Sequence, residues 1–359
     1  MNLKDEYNKT FVEDLATKLS TETSFFDKKS FLTSIINKNW EAKELKERMR
    51  HITETIHSHL DFDYQKQIKI LSNIAPNFKG LTAFIFPDFI QVYGLDYTNT
   101  SLKALELFTQ YSTAEFAIRP FIEKYPEATM QQLLDWSKHK NEHLRRLSSE
   151  GCRPRLPWAS PLREFIANPN PVLPILENLK NDESLYVRKS VANHINDISK
   201  DHPNLVLELT KKWYGKTKNT DWIVKHALRT LLKKGDKKAL AIFGLDNSKN
   251  LETSNLKLSK NNITIGDFIH FEFDVSNNSN QTRNIRLEYK VAFVKANKST
   301  SNKVFQLSEF SLKANAKKHF KRKQWFKELS TRKHYPGKHQ ITLIINGDKK
   351  NKIGLELSN

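Results

Sequence analysis

The chain has 359 residues, 38% of them hydrophobic and 28% charged, with a formal net charge of +19. That is the make-up of a soluble globular protein large enough for two domains. No run of about 18 apolar residues and no N-terminal basic-then-apolar segment is present, so neither a membrane span nor a secretory signal is expected. The single cysteine, Cys152, excludes a disulfide framework and a cysteine zinc site, and a reduced, cytoplasmic compartment is expected. The excess of 59 basic over 40 acidic residues favours a polyanionic partner, nucleic acid first, over anionic lipid or mere solubility.

Taken in order, residues 1–40 predict two helices. Phe11, Leu15, Ala16 and Leu19 mark the first, and Phe25, Phe26, Phe31, Leu32 and Ile35 the second. Leu45, Met49, Ile52 and Ile56 predict a third, and Ile68, Leu71 and Ile74 a fourth. Leu81–Tyr93 is apolar, is interrupted by Pro87 and should be buried. From residue 99 a repeat sets in. An aliphatic residue followed by a cation occurs at Ile118-Arg119, Leu144-Arg145, Val187-Arg188 and Val224-Lys225, at spacings of 26, 43 and 37 residues. Helix pairs recurring at about 40 residues point to HEAT-like repeats stacked as a solenoid. The cations Arg119, Arg145, Arg188 and Lys225 would then form a track suited to a phosphate backbone, or else pair with neighbouring carboxylates.

Residues 1–246 are assigned to this helical solenoid and 247–256 to a linker. Residues 257–359 change grammar. Phe268–Val275, Ile285–Val294, Val304–Leu307, His319–Trp325 and His339–Ile345 read as strands between Asn-, Ser- and Gly-rich turns. The expected fold class is mainly α, with the solenoid followed by a small all-β immunoglobulin-like sandwich. Residues 251–359 hold 21 basic and 9 acidic residues, a net +12. Lys318, Lys321, Arg322 and Lys323 lie among Phe320, Trp325 and Phe326 and are candidate DNA contacts.

No phosphate-binding glycine loop, GxGxxG or HExxH is present. His139 and His143 lie four apart, but a turn at Lys140-Asn141 would separate them, so no metal is expected. What remains is carboxylates amid cations: Glu115, Glu150, Asp197 and Asp221. A carboxylate beside a phosphate track opposes DNA binding unless it has another task, such as stabilising an oxocarbenium-like sugar and orienting water in glycosidic cleavage. Asp221 also fits a helix cap, and Glu115 a first-turn position. Trp158 and Trp222 fit either the core or stacking on a base or sugar.

The stretch NEHLRRLSSEGCRPRLPW (141–158) reads as a short helix carrying Arg145, Arg146 and Glu150, then a turn carrying Arg153, Arg155 and Trp158. Together with EFAIRPF, YVRKSVANHINDISKDHP and TDWIVKHALRTLLKKG, it resembles the DNA alkylation repair protein family, the HEAT-like-repeat alkylpurine DNA glycosylases, in its AlkC branch. The resemblance covers roughly residues 40–240. It implies hydrolytic removal of N-alkylated bases such as 3-methyladenine and 3-methylcytosine from double-stranded DNA, without metal or cofactor and without drawing the base into a deep pocket. Some AlkC-type proteins carry a further immunoglobulin-like domain. By position, the resemblance makes Glu115 the first choice for the catalytic carboxylate, with Glu150 and Asp197 behind it and Trp158 as an aromatic wall. Arg145, Arg153, Arg155, Arg188, Lys225 and Arg229 would hold phosphates, with Arg119, Arg146 and Trp222 beside them. A monomer is expected. The competing reading is a non-catalytic HEAT-repeat protein that binds damaged or branched DNA.

Overall fold

In the computed structural model, which describes residues 2–329 and 332–359, helices precede strands. They are α1 (Lys9–Glu22), α2 (Lys28–Ile35), α3 (Leu45–His59), α4 (Tyr64–Ile74), α5 (Ile85–Tyr93), α6 (Thr98–Phe108), α7 (Arg119–Lys124) and α8 (Pro126–Trp136). There follow α9 (Glu142–Gly151), α10 (Arg163–Ala167), α11 (Leu173–Leu179), α12 (Leu185–Ile198), α13 (Pro203–Trp213), α14 (Lys218–Ala227), α15 (Arg229–Lys234) and α16 (Lys237–Ile242). The strands are β1 (Leu251–Leu258), β2 (Asn262–Thr264), β3 (Phe268–Asn277), β4 (Arg283–Val294), β5 (Thr300–Leu312), β6 (Lys317–Trp325), β7 (Gly337–Ile345) and β8 (Asp348–Ser358).

Two compact units result. One comprises the chain up to His202 together with Gly215–Ala227. The other comprises Pro203–Tyr214 together with Leu228–Asn359. Helices α13, α15 and α16 therefore belong with the strands, and the division does not fall at the expected residue 246. The expected linker 247–256 is likewise not a free connection, because β1 begins at Leu251 and pairs with β3.

In the first unit, α8 packs on α9 and α11 on α12, while α9, α12 and α14 pack in series. Each buries an apolar stripe at helical spacing: Leu144 and Leu147, then Val187, Val191 and Ile195, then Ile223 and Val224. No pair could cover that stripe alone, so each depends on the next, as in a HEAT-like array. Pro87 falls in the first turn of α5, where a missing N–H breaks no helical bond. No helix among the described residues is long and apolar enough to cross a membrane.

In the second unit, β1-β3-β6 form one sheet and β2-β8-β7-β4-β5 the other. The five strands expected from alternation are present; β1, β2 and β8 are additional. Ile269, Phe271, Phe273 and Val275 of β3 share one core with Leu287, Tyr289 and Val291 of β4 and Ile341 and Leu343 of β7. Period-two alternation puts these side chains on one face, and fully burying each is worth about 1.5–3 kcal/mol. Strand β6 is an edge, and of its nine residues only Gln324 is buried.

The β7–β8 turn packs on the last helices. Gly347 adopts φ +81°, and a Cβ there would stand 2.7 Å from the Leu240 side chain and 3.1 Å from the Gly235 backbone. Next to it, Asp348 pairs with Lys237 at 2.7 Å. Gly347→Val should therefore strain both the backbone and the helix contact. We expect a loss of about 1–3 kcal/mol, read as a lower urea midpoint for the strand-bearing unit; an unchanged midpoint would refute the close packing.

Candidate active site

The site grows from the C-terminal half of α9. Asn141 caps this helix, its side chain accepting from the His143 N–H at 2.9 Å. The cap puts His139 outside α9, so the two histidines do not share a helix face. Leu144 and Leu147 point into the core, which leaves Arg146 and Glu150, four residues apart, on a common face. At the helix end, Gly151 allows a close approach, since a Cβ there would lie 2.6 Å from the Ile118 side chain. That approach brings the 113–118 turn, with Glu115, against Arg146.

From there the charges alternate. Arg146 pairs with Glu115 and donates to the Thr113 hydroxyl at 2.6 Å, while that hydroxyl donates to Glu115 at 2.7 Å. Glu150 accepts from Arg153 at 2.5 Å and lies 3.7 Å from Arg146. Arg153 reaches Asp197 of α12 through Nε at 2.9 Å and Nη2 at 2.8 Å, and Lys200 donates to the same carboxylate at 3.0 Å. The guanidinium of Arg146 lies 5.2 Å from the Tyr186 ring, a cation–aromatic contact. Glu115, Glu150 and Asp197 are 8%, 6% and 3% exposed. Three carboxylates from separate parts of the chain are thus held in one row, and the pairing makes their burial tolerable. Burial works against the charge on Arg153, but Glu150 and Asp197 outweigh it and hold its pKa above the ordinary arginine value.

His194 lies beneath this row. It is fully buried and makes a 2.9 Å hydrogen bond between Nδ1 and the Ser149 carbonyl, tying α12 to α9 one residue before Glu150. Burial, reinforced by Arg153, pushes its pKa down to about 3.

The chain then turns from α9 into the loop that carries Trp158. Three carbonyls of this region, Gly151, Arg153 and Ser160, accept from Arg119 at 3.0, 2.9 and 2.6 Å. Trp158 stands on that loop with 67% of its surface exposed and φ 67°. It is therefore not a core residue, while Trp222 is half-buried, stacked on His226 at 3.8 Å with Arg188 5.7 Å away.

The cations expected to form a phosphate track have intramolecular partners. Arg119 is buried and its described bonds all go to carbonyls of the loop. Arg145 is spent on a two-point pair with Asp182 (2.6 and 3.2 Å) and on the carbonyls of His139 and Lys140. Arg188 donates to the carbonyls of Asp182 and Glu183. The 182–183 turn collects both arginines, Arg145 on a carboxylate, as the alternative reading expected, and Arg188 on carbonyls. Arg146 and Arg153 serve the carboxylates. Arg155 pairs with Asp201 at 2.9 and 3.1 Å but remains partly exposed, and Lys225 is exposed on α14. Arg229 lies in the other unit, at the start of α15. Asp221 accepts from the Gly215 N–H at 2.6 Å while Thr217 accepts from the Thr220 N–H, so Asp221 braces the turn before α14. Thr113, Tyr186, His194 and Lys200 were not singled out from sequence. Only Lys200, three residues after Asp197, lay within sight of a local pattern.

Two stability predictions follow from this geometry. Arg153→Met would leave Glu150 and Asp197 buried without their shared partner and should cost about 3–5 kcal/mol, seen as a lowered melting temperature; a neutral effect would mean the pairing contributes little. For His194, the folded pKa lies below the unfolded value of about 6.5, so the unfolded chain binds the extra proton. Its contribution is fully present above pH 6.5 and is lost as pH falls from there toward 3, at up to about 1.4 kcal/mol per pH unit. Denaturation of wild type and His194→Gln between pH 7 and 4.5 should show a shallower fall for the variant, and parallel curves would exclude the effect.

Known proteins place this geometry. Residues 106–231 match the model of the family described as DNA alkylation repair enzyme, and residues 252–359 match a C-terminal Ig-like domain described for the uncharacterised protein YhaZ. An uncharacterised protein of that name from Bacillus subtilis (strain 168) is 46% identical over 356 residues, 99% of either chain. The alkylpurine DNA glycosylase AlkC of Pseudomonas fluorescens, solved bound to DNA containing an abasic site analogue, superposes over 100% of both chains with a TM-score of 0.97 at 36% identity. The chain belongs to the DNA alkylation repair enzyme family.

Proposed function

We propose that this protein is a monofunctional DNA glycosylase that removes cationic alkylated bases, 3-methyladenine and 3-methylcytosine, from double-stranded DNA. The observation that carries this reading is the row of Glu115, Glu150 and Asp197, three buried carboxylates gathered in a chain of net charge +19. A surface built only to hold phosphates has no use for them. The solved AlkC glycosylase with DNA supports the same reading.

The chemistry follows from charge. A base alkylated at a ring nitrogen carries a positive charge, so breaking its bond to C1′ sends the electron pair to the base and neutralises it. No acid is needed. Positive charge moves to the sugar, and a water oxygen then bonds to C1′ and passes its proton to solvent. Glu115, held by Thr113 and Arg146, is assigned to stabilise the sugar and orient that water. A carboxylate about 4 Å from a full positive charge is worth about 4 kcal/mol in surroundings of intermediate polarity, roughly three decades in rate. Glu150 and Asp197 are paired with Arg153 and Lys200 and hold the arrangement around Glu115, and Trp158 supplies a ring face for a cationic base. A neutral base would have to leave as an anion, a far poorer leaving group, and would lack the attraction of a cation to the ring face, which is how selectivity arises without reading hydrogen-bond edges.

The primary test is incubation of purified protein with methylated DNA. Released 3-methyladenine and heat-labile abasic sites are expected, with no protein–DNA adduct trapped by borohydride; no released base at stoichiometric protein would sink the proposal. Glu115→Gln should lower the single-turnover rate by roughly a hundredfold to a thousandfold with DNA affinity retained. A wild-type rate would move the assignment to Glu150 or Asp197.

The C-terminal domain is assigned a DNA contact through β6, where Lys318, Lys321, Arg322 and Lys323 are exposed. Lys323 lies 3.5 and 4.1 Å from the Phe268 and Trp325 rings. Replacing Lys321 and Arg322 by Gln should weaken duplex binding and flatten its log–log salt dependence by roughly 0.9 per lost phosphate contact. An unchanged slope would mean that these charges serve only to protect a sheet edge.

A further inference from the structure

The Trp158 loop borders a cleft of about 620 Å3, lined also by Lys46 and Arg50 of α3 and by Phe84 and Phe116. An indole so exposed is not fixed by packing, and its backbone lies in the left-handed region that a bulky residue rarely adopts. The turn is closed by the Ala159 N–H on the Leu156 carbonyl at 3.3 Å, and side chains brace it from outside. Arg119 anchors the loop at Ser160. The second anchor comes from far away in sequence: Lys46 Nζ donates to the Trp158 carbonyl itself at 2.8 Å. Among the described residues this is the one hydrogen bond between α3 and the loop. The ammonium also lies 5.6 Å from the Phe116 ring, next in sequence to Glu115.

We infer that Lys46 is a positioning residue for excision, its ammonium fixing the left-handed turn that presents Trp158 to the damaged nucleotide. This rests on the reading of Trp158 given above. Lys46 is exposed and cationic, so a direct phosphate contact is the role it must be distinguished from. A phosphate contact acts on affinity and its salt dependence; a positioning contact acts on the rate of the bound complex, where a small misplacement is enough to slow chemistry.

The experiment compares Lys46→Met, which keeps the stem and removes the donor, with Lys46→Arg, which restores one. Single-turnover excision is measured at saturating protein, and DNA binding across a salt series. The free proteins are labelled with 5-fluorotryptophan, the Trp158 fluorine resonance being identified by its loss in Trp158→Phe. The expected result for Lys46→Met is a saturating rate lower by roughly tenfold to a hundredfold, an unchanged salt slope, and a shifted or broadened Trp158 resonance. Lys46→Arg should recover most of the rate. A flattened salt slope with a wild-type saturating rate overturns the inference in favour of a phosphate contact. An unperturbed Trp158 resonance in Lys46→Met overturns it as well. If Trp158→Phe itself excises at the wild-type rate, the role of Trp158 falls separately, and the fluorine spectrum still decides whether Lys46 fixes the indole.

Discussion

Arg153 is the contact on which the rest of the site depends. It bridges Glu150 on α9 and Asp197 on α12, two carboxylates that would otherwise repel each other in a poorly solvated place. Its backbone carbonyl also accepts from Arg119 and so fixes the start of the loop that carries Trp158. One residue therefore sets the spacing of two helices, the orientation of their carboxylates and the departure of the loop. Arg146 repeats the device one step away, between Glu115 and Glu150. The carboxylates are held in fixed orientations by these pairs, which on the proposed reading is the condition under which fixed charges contribute most to a developing cation.

The helical half shows why a repeat suits this purpose. Each helix of the α9, α12, α14 series is placed by burying an apolar stripe on its neighbour, and that leaves another face free to carry polar residues. The same stacking brings Asp197 to Arg153 across 44 positions of sequence. The row of paired charges is thus assembled by the register of the array.

Much of this was legible in the sequence, for reasons of period and composition. The 3.6-residue spacing of Leu144 and Leu147 or of Val187, Val191 and Ile195 announces helices. Strict alternation in FIHFEFDV announces a strand. The three carboxylates stood out because acidic residues are conspicuous within basic stretches. Strands β1 and β8 escaped notice because each carries lysines, serines or a glycine through a half-exposed pattern. What could not be read was which charge meets which. Asp182 and Asp201, the acceptors of Arg145 and Arg155, lie 37 and 46 residues from their partners, and no local rule separates an arginine spent on a carbonyl from one left for phosphate. That is why the intramolecular partners of Arg119, Arg145 and Arg188 could not be foreseen. Lys46 and Trp158, 112 residues apart, were wholly beyond such reasoning.

The edge strand β6 has a colloidal side. Its outer N–H and C=O groups are not covered by another strand of its sheet, and bare edges invite pairing with a second copy. Mutual repulsion among the lysines along the strand opposes such pairing. That repulsion is local: its reach is about 10 Å at 0.1 M salt and about 3 Å at 1 M. The ionic conditions that strip DNA from the protein are therefore the ones that let two β6 edges approach. Self-association should increase with salt, the reverse of what electrostatic attraction between molecules would give.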